Sequence, residues 1–281
     1  MPFSVQLGLL LALITSLSSV VGFFFKHKGA VAAPPVEWRR PWASTVALFR
    51  SPVYTLGCVI ATTSWGFHVA ALALAPISLV QSVIAGGLVL VTVLASRVFA
   101  LPVARREWIG VLLTAAGLTF LAATLDGAAK GAESDYDLTR LLVGVGAVTV
   151  VGASLAWRGR SGPALAVSAG MLWAGSDATI KALSSKTDTG LLVLVHPFAF
   201  VILVLSLVGL LISARSLQIG PVVTVIALTS ATANTLTIAA GPLIFREPLP
   251  AGAGALLVRL AAFALVIVAA ALTPPLRPQE V

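Results

Sequence analysis

Apolar stretches of about 20 residues, the length that carries a helix across the hydrocarbon of a bilayer, follow one another along nearly the whole chain. In lipid every backbone N–H and C=O must be bonded within its own segment, so such runs are confined to helices packed on helices. The runs are Val5 to Phe25, Pro52 to Ala75, Pro76 to Ala100, Trp108 to Leu125, Leu138 to Trp157, Gly162 to Ser184, Gly190 to Ser213, Leu217 to Phe245 and Pro250 to Thr273. They predict an all-α polytopic membrane protein of nine transmembrane helices, a single domain over residues 1–281. With 58% of residues hydrophobic and 10% charged, almost nothing is left for a soluble domain.

Charge placement orients these helices. The first run has no basic residue before it and Lys26-His27-Lys28 after it, the reverse of a signal peptide, so it should stay attached with its N-terminus outside. Alternating the loops from there puts Lys26, Lys28, Arg39, Arg40, Arg50, Arg97, Arg105, Arg106, Arg158, Arg160, Arg215 and Arg277 inside. Only Lys130, Arg140, Lys181, Lys186 and Arg246 fall outside, and Arg259 lies within a span. The asymmetry matches the positive-inside rule and predicts a multi-pass protein of the cell membrane with a cytoplasmic C-terminus. The Lys26 to Arg50 loop is then cytoplasmic and the acidic Asp126 to Asp137 linker external. The net charge of +8 is thereby topological, not the footprint of a nucleic-acid partner. Cys58 is the single cysteine, which excludes an intramolecular disulfide and a cysteine-based metal motif.

Two places repeat each other in kind. Ala75-Pro76 and Gly220-Pro221 each open a new apolar run, and the two prolines set a register in which Trp108-Ile109-Gly110 corresponds to Ala253-Gly254-Ala255. The ends Gly22 to Lys26 and Asp177 to Lys181 also match once the longer first loop is allowed for. The chain divides into a four-span repeat over 4–125, a linking helix over 138–157 and a second four-span repeat over 162–273. The linking span makes the second repeat enter from the opposite side, an inverted layout shared by many secondary transporters.

These residues resemble the drug/metabolite transporter superfamily with its paired EamA-type repeats, over nearly the whole chain. The resemblance is carried by the Trp173 to Lys181 helix end, the two helix starts at Pro76 and Pro221, Phe245-Arg246-Glu247-Pro248-Leu249, and Arg106 to Gly110. Nine spans, an external N-terminus and Phe25-Lys26-His27-Lys28-Gly29 look most like its NIPA-type magnesium transporter branch. Leu101 and Pro102 stand where that pattern has a glutamate. The resemblance implies transport, with Mg²⁺ or another cation as the solute.

Asp177 lies inside a membrane run, where ionising it unpaired costs several kcal/mol, so it must face a bundle interior, a wet cavity or a cationic partner. Trp173, Asp177 and Lys181 recur every four residues and share one helical stripe. Counted from the external helix ends at ~1.5 Å per residue, Asp177, Arg259, His68 and His196 reach a common depth of roughly 9 to 14 Å. Asn234 joins them, Gln81 is shallower, and Trp65 and Trp173 lie near the midplane. This layer is the candidate substrate site. Asp177 and Arg259 read equally as an interhelical ion pair or as substrate and proton groups, His68, His196 and Asn234 as helix–helix hydrogen-bonding groups or ligands, and the tryptophans as packing or cavity walls. Lys181, near the external interface, is expected to snorkel into solvent.

There is no Gly-x-Ser-x-Gly, His-Glu-x-x-His or Walker motif, so enzyme chemistry and a cofactor are not expected. The reading is a secondary transporter of a small-molecule or ion substrate, in contact with membrane lipid and open to homodimer formation. Mg²⁺ keeps its waters and prefers carboxylates, whereas this layer offers one acid beside an arginine. A proton-coupled exporter of a small polar or amphiphilic metabolite, with Asp177 carrying the proton, is the alternative within the class. A non-transporting membrane scaffold is the alternative outside it.

Overall fold

The computed structural model describes residues 2–86, 136–184 and 195–247, with short pieces between 105 and 117 and between 252 and 265. Every regular element among the described residues is an α-helix. In chain order these are α1 (Phe3–Val31), α2 (Pro41–Phe49), α3 (Pro52–Leu74), α4 (Ile77–Gly86), α5 (Leu138–Arg158), α6 (Gly162–Ser184), α7 (Pro197–Ile219) and α8 (Val222–Ile244). Five of them, α1, α3, α5, α7 and α8, are long and apolar enough to cross a membrane, and the chain is a membrane protein on that ground. The expected third run is described only as far as Gly86, and most of the expected fourth and ninth runs lie outside the described residues.

Helix boundaries follow local chemistry. Helix α3 starts with Pro52 at its first position under a Ser51 cap whose side chain accepts from the Tyr54 N–H, and α7 starts with Pro197 under a His196 cap. Both helices are 23 residues long, and both end in an extended residue, Ala75 or Gly220, immediately before a proline. A residue preceding proline is pushed out of the α region, which places the breaks at these points. Two expectations are corrected. Arg215 does not sit in a loop, because α7 continues through it to Ile219 before Gly220-Pro221 stops the helix. Helix α1 likewise runs on to Val31 through Lys26-His27-Lys28, and the remaining loop folds a further helix, α2.

Helix α6, at 23 residues, is as long as α3, α7 and α8 but more polar, and α5, α7 and α8 surround it while α3 touches it. Most of its residues are buried, so its polar groups are kept from lipid by protein. Small residues allow the close approach. A Cβ on Gly170 would lie 2.6 Å from the Thr229 carbonyl oxygen of α8. Ser168 Oγ donates to the Gly152 carbonyl of α5 at 2.7 Å, and Ser216 Oγ of α7 to the Gly162 carbonyl of α6 at 2.7 Å. In the other half α1 packs along α3, where Ser64 Oγ donates to the Thr15 carbonyl at 2.9 Å.

The ends of the helices gather on two faces. On one face Gly8 meets Ala75, Lys181 reaches Leu72 and Ala75, and the Asp137 N–H donates to the Ile244 carbonyl at 3.2 Å. On the other Gly29 packs on Tyr54 and Gln218 Nε2 donates to the Ala30 carbonyl at 3.0 Å. Helices α1, α5 and α7 therefore run from the first face to the second, and α3, α6 and α8 run back.

Candidate functional site

Asp177 is held on both carboxylate oxygens by side chains from two other helices. His68 Nε2 of α3 lies 3.0 Å from Oδ1, and Gln81 Nε2 of α4 donates to Oδ2 at 3.0 Å. The Asp177 and His68 side chains are 15% and 9% exposed, and Gln81 is 1% exposed. The break at Ala75-Pro76 makes this possible. It turns the chain between α3 and α4 so that a residue near the end of one helix and a residue near the start of the next face the same point on α6. A carboxylate removed from water keeps its charge cheaply only when its lone pairs are occupied, and these two donors occupy one on each oxygen.

The imidazole is bonded on one side only. With Nε2 carrying the hydrogen toward Asp177, Nδ1 is a buried nitrogen without a partner among the described residues. Asn234 of α8 is 4% exposed, and its Nδ2 has no partner among them either. His68 Nδ1 and Asn234 Nδ2 are thus unsatisfied buried groups on α3 and α8, both of which pack on α6. Such groups cost free energy unless water or a solute completes them.

Lys181, one helical turn beyond Asp177, overturns the snorkelling expectation. It is 1% exposed, and its Nζ donates to the carbonyls of Leu72 at 2.8 Å and Ala75 at 3.0 Å. Pro76 is the cause: it has no N–H, so the Leu72 carbonyl four residues earlier lacks its helical donor. At the opposite face Pro221 does the same to Leu217, whose carbonyl accepts from His27 Nδ1 at 3.3 Å.

His196, Trp65 and Trp173 have other surroundings. His196 is not inside a span: it caps α7, Nδ1 accepting from the Phe198 N–H at 3.1 Å, because Pro197 takes the first helical position. Trp65 is 45% exposed on α3. Trp173 packs edge-on to Phe23 with ring centroids 5.8 Å apart, its Nε1 against Gly209, wedged between α1 and α7. Arg259, the expected partner of Asp177, lies outside the described residues. Lys26 was missed by sequence reasoning, which put it in a solvated loop. It is 4% exposed, with Nζ 4.0 Å from the Phe23 ring centroid and 5.6 Å from that of Trp173, so aromatic faces replace water around the ammonium. The signal was present in Phe23, three residues earlier on the same helical face.

No family model, curated protein or solved structure matches this chain.

Proposed function

We propose that this chain is a secondary transporter of the cell membrane, two inverted four-helix repeats joined by α5, with Asp177 as the group that carries a proton or a cationic solute. The observation that carries the reading is the bonding of Asp177 on α6 by His68 and Gln81 from α3 and α4. A titratable group clasped across two halves of a bundle changes its partners whenever the halves rock, which couples its protonation to the motion.

Helix pairing supports the inverted layout. Helix α1 packs on α3 and α4 as α6 packs on α7 and α8, α1 meets α7 as α6 meets α3, and α4 packs on α8, its own counterpart. The two proline-orphaned carbonyls fit the same relation, each served by a basic residue from the first helix of the other repeat, Lys181 on Leu72 and His27 on Leu217. These contacts sit at opposite faces and would act as alternate closures, one released while the other holds. With the N-terminus outside, the Lys181 contact is the external one and the C-terminus is cytoplasmic.

A proton-coupled small polar or amphiphilic solute suits this cluster better than Mg²⁺. Mg²⁺ requires six oxygen ligands in near-octahedral order, and Asp177 offers one carboxylate whose oxygens face nitrogen donors. The test is purified protein in liposomes with an internal pH dye, screened with small solutes and with Mg²⁺ under a proton gradient. Solute-dependent proton movement that disappears in a folded Asp177→Asn variant is expected. Transport by Asp177→Asn at the rate of the unaltered protein would remove the assignment, and no flux for any solute would leave a scaffold.

A further inference from the structure

The connection between α1 and α3 contains a short helix whose two faces have different tasks. In α2 Ser44 and Leu48, one turn apart, are buried. Leu48 packs with Ala30, Val36, Tyr54 and Ala214, and Ser44 Oγ accepts from the Glu37 N–H at 3.0 Å. Gln218 anchors the approach to the helix, its Oε1 accepting from Val36 N–H at 2.9 Å and its Nε2 donating to the Pro34 carbonyl at 3.0 Å. Helix α2 is therefore fastened at the level where α1 and α7 end and α3 begins, which is the edge of the membrane-spanning bundle.

The almost opposite face is apolar and open. Trp42, Val46 and Phe49 follow at i, i+4 and i+7, a single stripe, and are 79%, 37% and 42% exposed. Trp38, just before the helix, is 46% exposed. Arg39 and Arg40 precede α2 and Arg50 follows it, all exposed, as is Lys28. Glu37 is the one acid between residues 26 and 51. An apolar stripe rimmed by tryptophan and arginine at the end of a helix bundle is the make-up of a helix lying in the headgroup layer, with its aromatic rings at the acyl boundary. The charge selects the lipid, since clustered arginines are drawn to an anionic leaflet and bond its phosphates.

We propose that α2 is a membrane-surface helix that docks on anionic phospholipid, the Trp42-Val46-Phe49 stripe entering the acyl boundary and Arg39, Arg40 and Arg50 holding lipid phosphates. This does not depend on the transport reading. Full-length protein carrying Cys58→Ala and Val46→Cys is spin-labelled and reconstituted in phosphatidylcholine, with or without phosphatidylglycerol. Collision with oxygen, which favours lipid, is compared with collision with a water-soluble nickel chelate.

Adding phosphatidylglycerol should shift the label toward oxygen and away from nickel, and Arg39→Gln, Arg40→Gln and Arg50→Gln together should abolish that shift. Inorganic phosphate added to phosphatidylcholine vesicles should not reproduce it. A label that stays nickel-accessible in both membranes puts the stripe in water or under another protein and overturns the proposal. So does a label equally oxygen-accessible with and without phosphatidylglycerol, and so does a shift produced by inorganic phosphate alone. A Leu56→Cys label on the exposed surface of α3 should be unchanged by the arginine substitutions, which separates lost docking from lost folding.

Discussion

Lys181 donates to the Leu72 carbonyl at 2.8 Å, and that carbonyl is the one Pro76 leaves without a helical donor. A buried ammonium and a broken helix end thus complete each other across α3 and α6. The ammonium lies at the C-terminal end of α3, where the helix dipole favours a cation.

Lys181→Met removes the donor and leaves buried carbonyls unsatisfied, so it should lower stability by about 1–3 kcal/mol. Thermal unfolding of the purified protein in detergent measures it, beside Lys28→Met as the control on an exposed lysine of α1. Equal melting temperatures for both variants would refute the account.

His68 and Asp177 should be energetically coupled. In a double-mutant cycle with His68→Leu and Asp177→Asn, the residues share a hydrogen bond, and contacting pairs couple by about 0.5–3 kcal/mol. Additive losses on unfolding would show that the 3.0 Å contact carries no energy.

Gly170→Val should disrupt the α6–α8 packing. Even a Cβ there meets the Thr229 oxygen at 2.6 Å and the Thr232 Cβ at 2.8 Å, and overpacking costs about 1–3 kcal/mol. Gly146→Val on α5, where a Cβ meets nothing, should be tolerated. Comparing the folded yields by size-exclusion chromatography decides the point.

Asp137 caps α5 from outside the span, accepting from the Arg140 N–H at 3.0 Å. That backbone hydrogen bond, with the nearby Arg140 charge, holds its carboxyl below the ordinary aspartate value. A group depressed on folding stabilises above its unfolded pKa of about 3.9, and the contribution is lost as pH falls through the lower folded value. Asp137→Ala should therefore lower the melting temperature at neutral pH, and the difference from the unaltered protein should shrink under strong acid. A difference that is constant from neutral to acid pH would exclude the ionised cap.

The apolar runs determined the helical class, and the prolines determined where α3 and α7 begin and end, because a missing N–H and a fixed φ act locally in any context. The same logic would have begun the seventh helix at Pro197 and made His196 a cap, but an apolar stretch on both sides hid the boundary. Counting residues along each helix placed Asp177, His68 and Gln81 in the membrane, and it also placed His196 and Trp65 there. Depth is only one coordinate. Which side of each helix faces which neighbour depends on how small residues such as Gly170 and Gly57 let the backbones approach, a property of pairs of helices and not of either alone. That rotation brought His68 and Gln81 onto Asp177 and left Trp65 half exposed. It also decided the lysines: Lys26 and Lys181 look solvated in a linear reading, and they are buried because ring faces in one case and orphaned carbonyls in the other meet them from distant segments. Helix α2 had to wait for the fold for a further reason, since nine residues barely outlast the cost of helix nucleation and hold only when Leu48 finds its pocket between Tyr54 and Ala214.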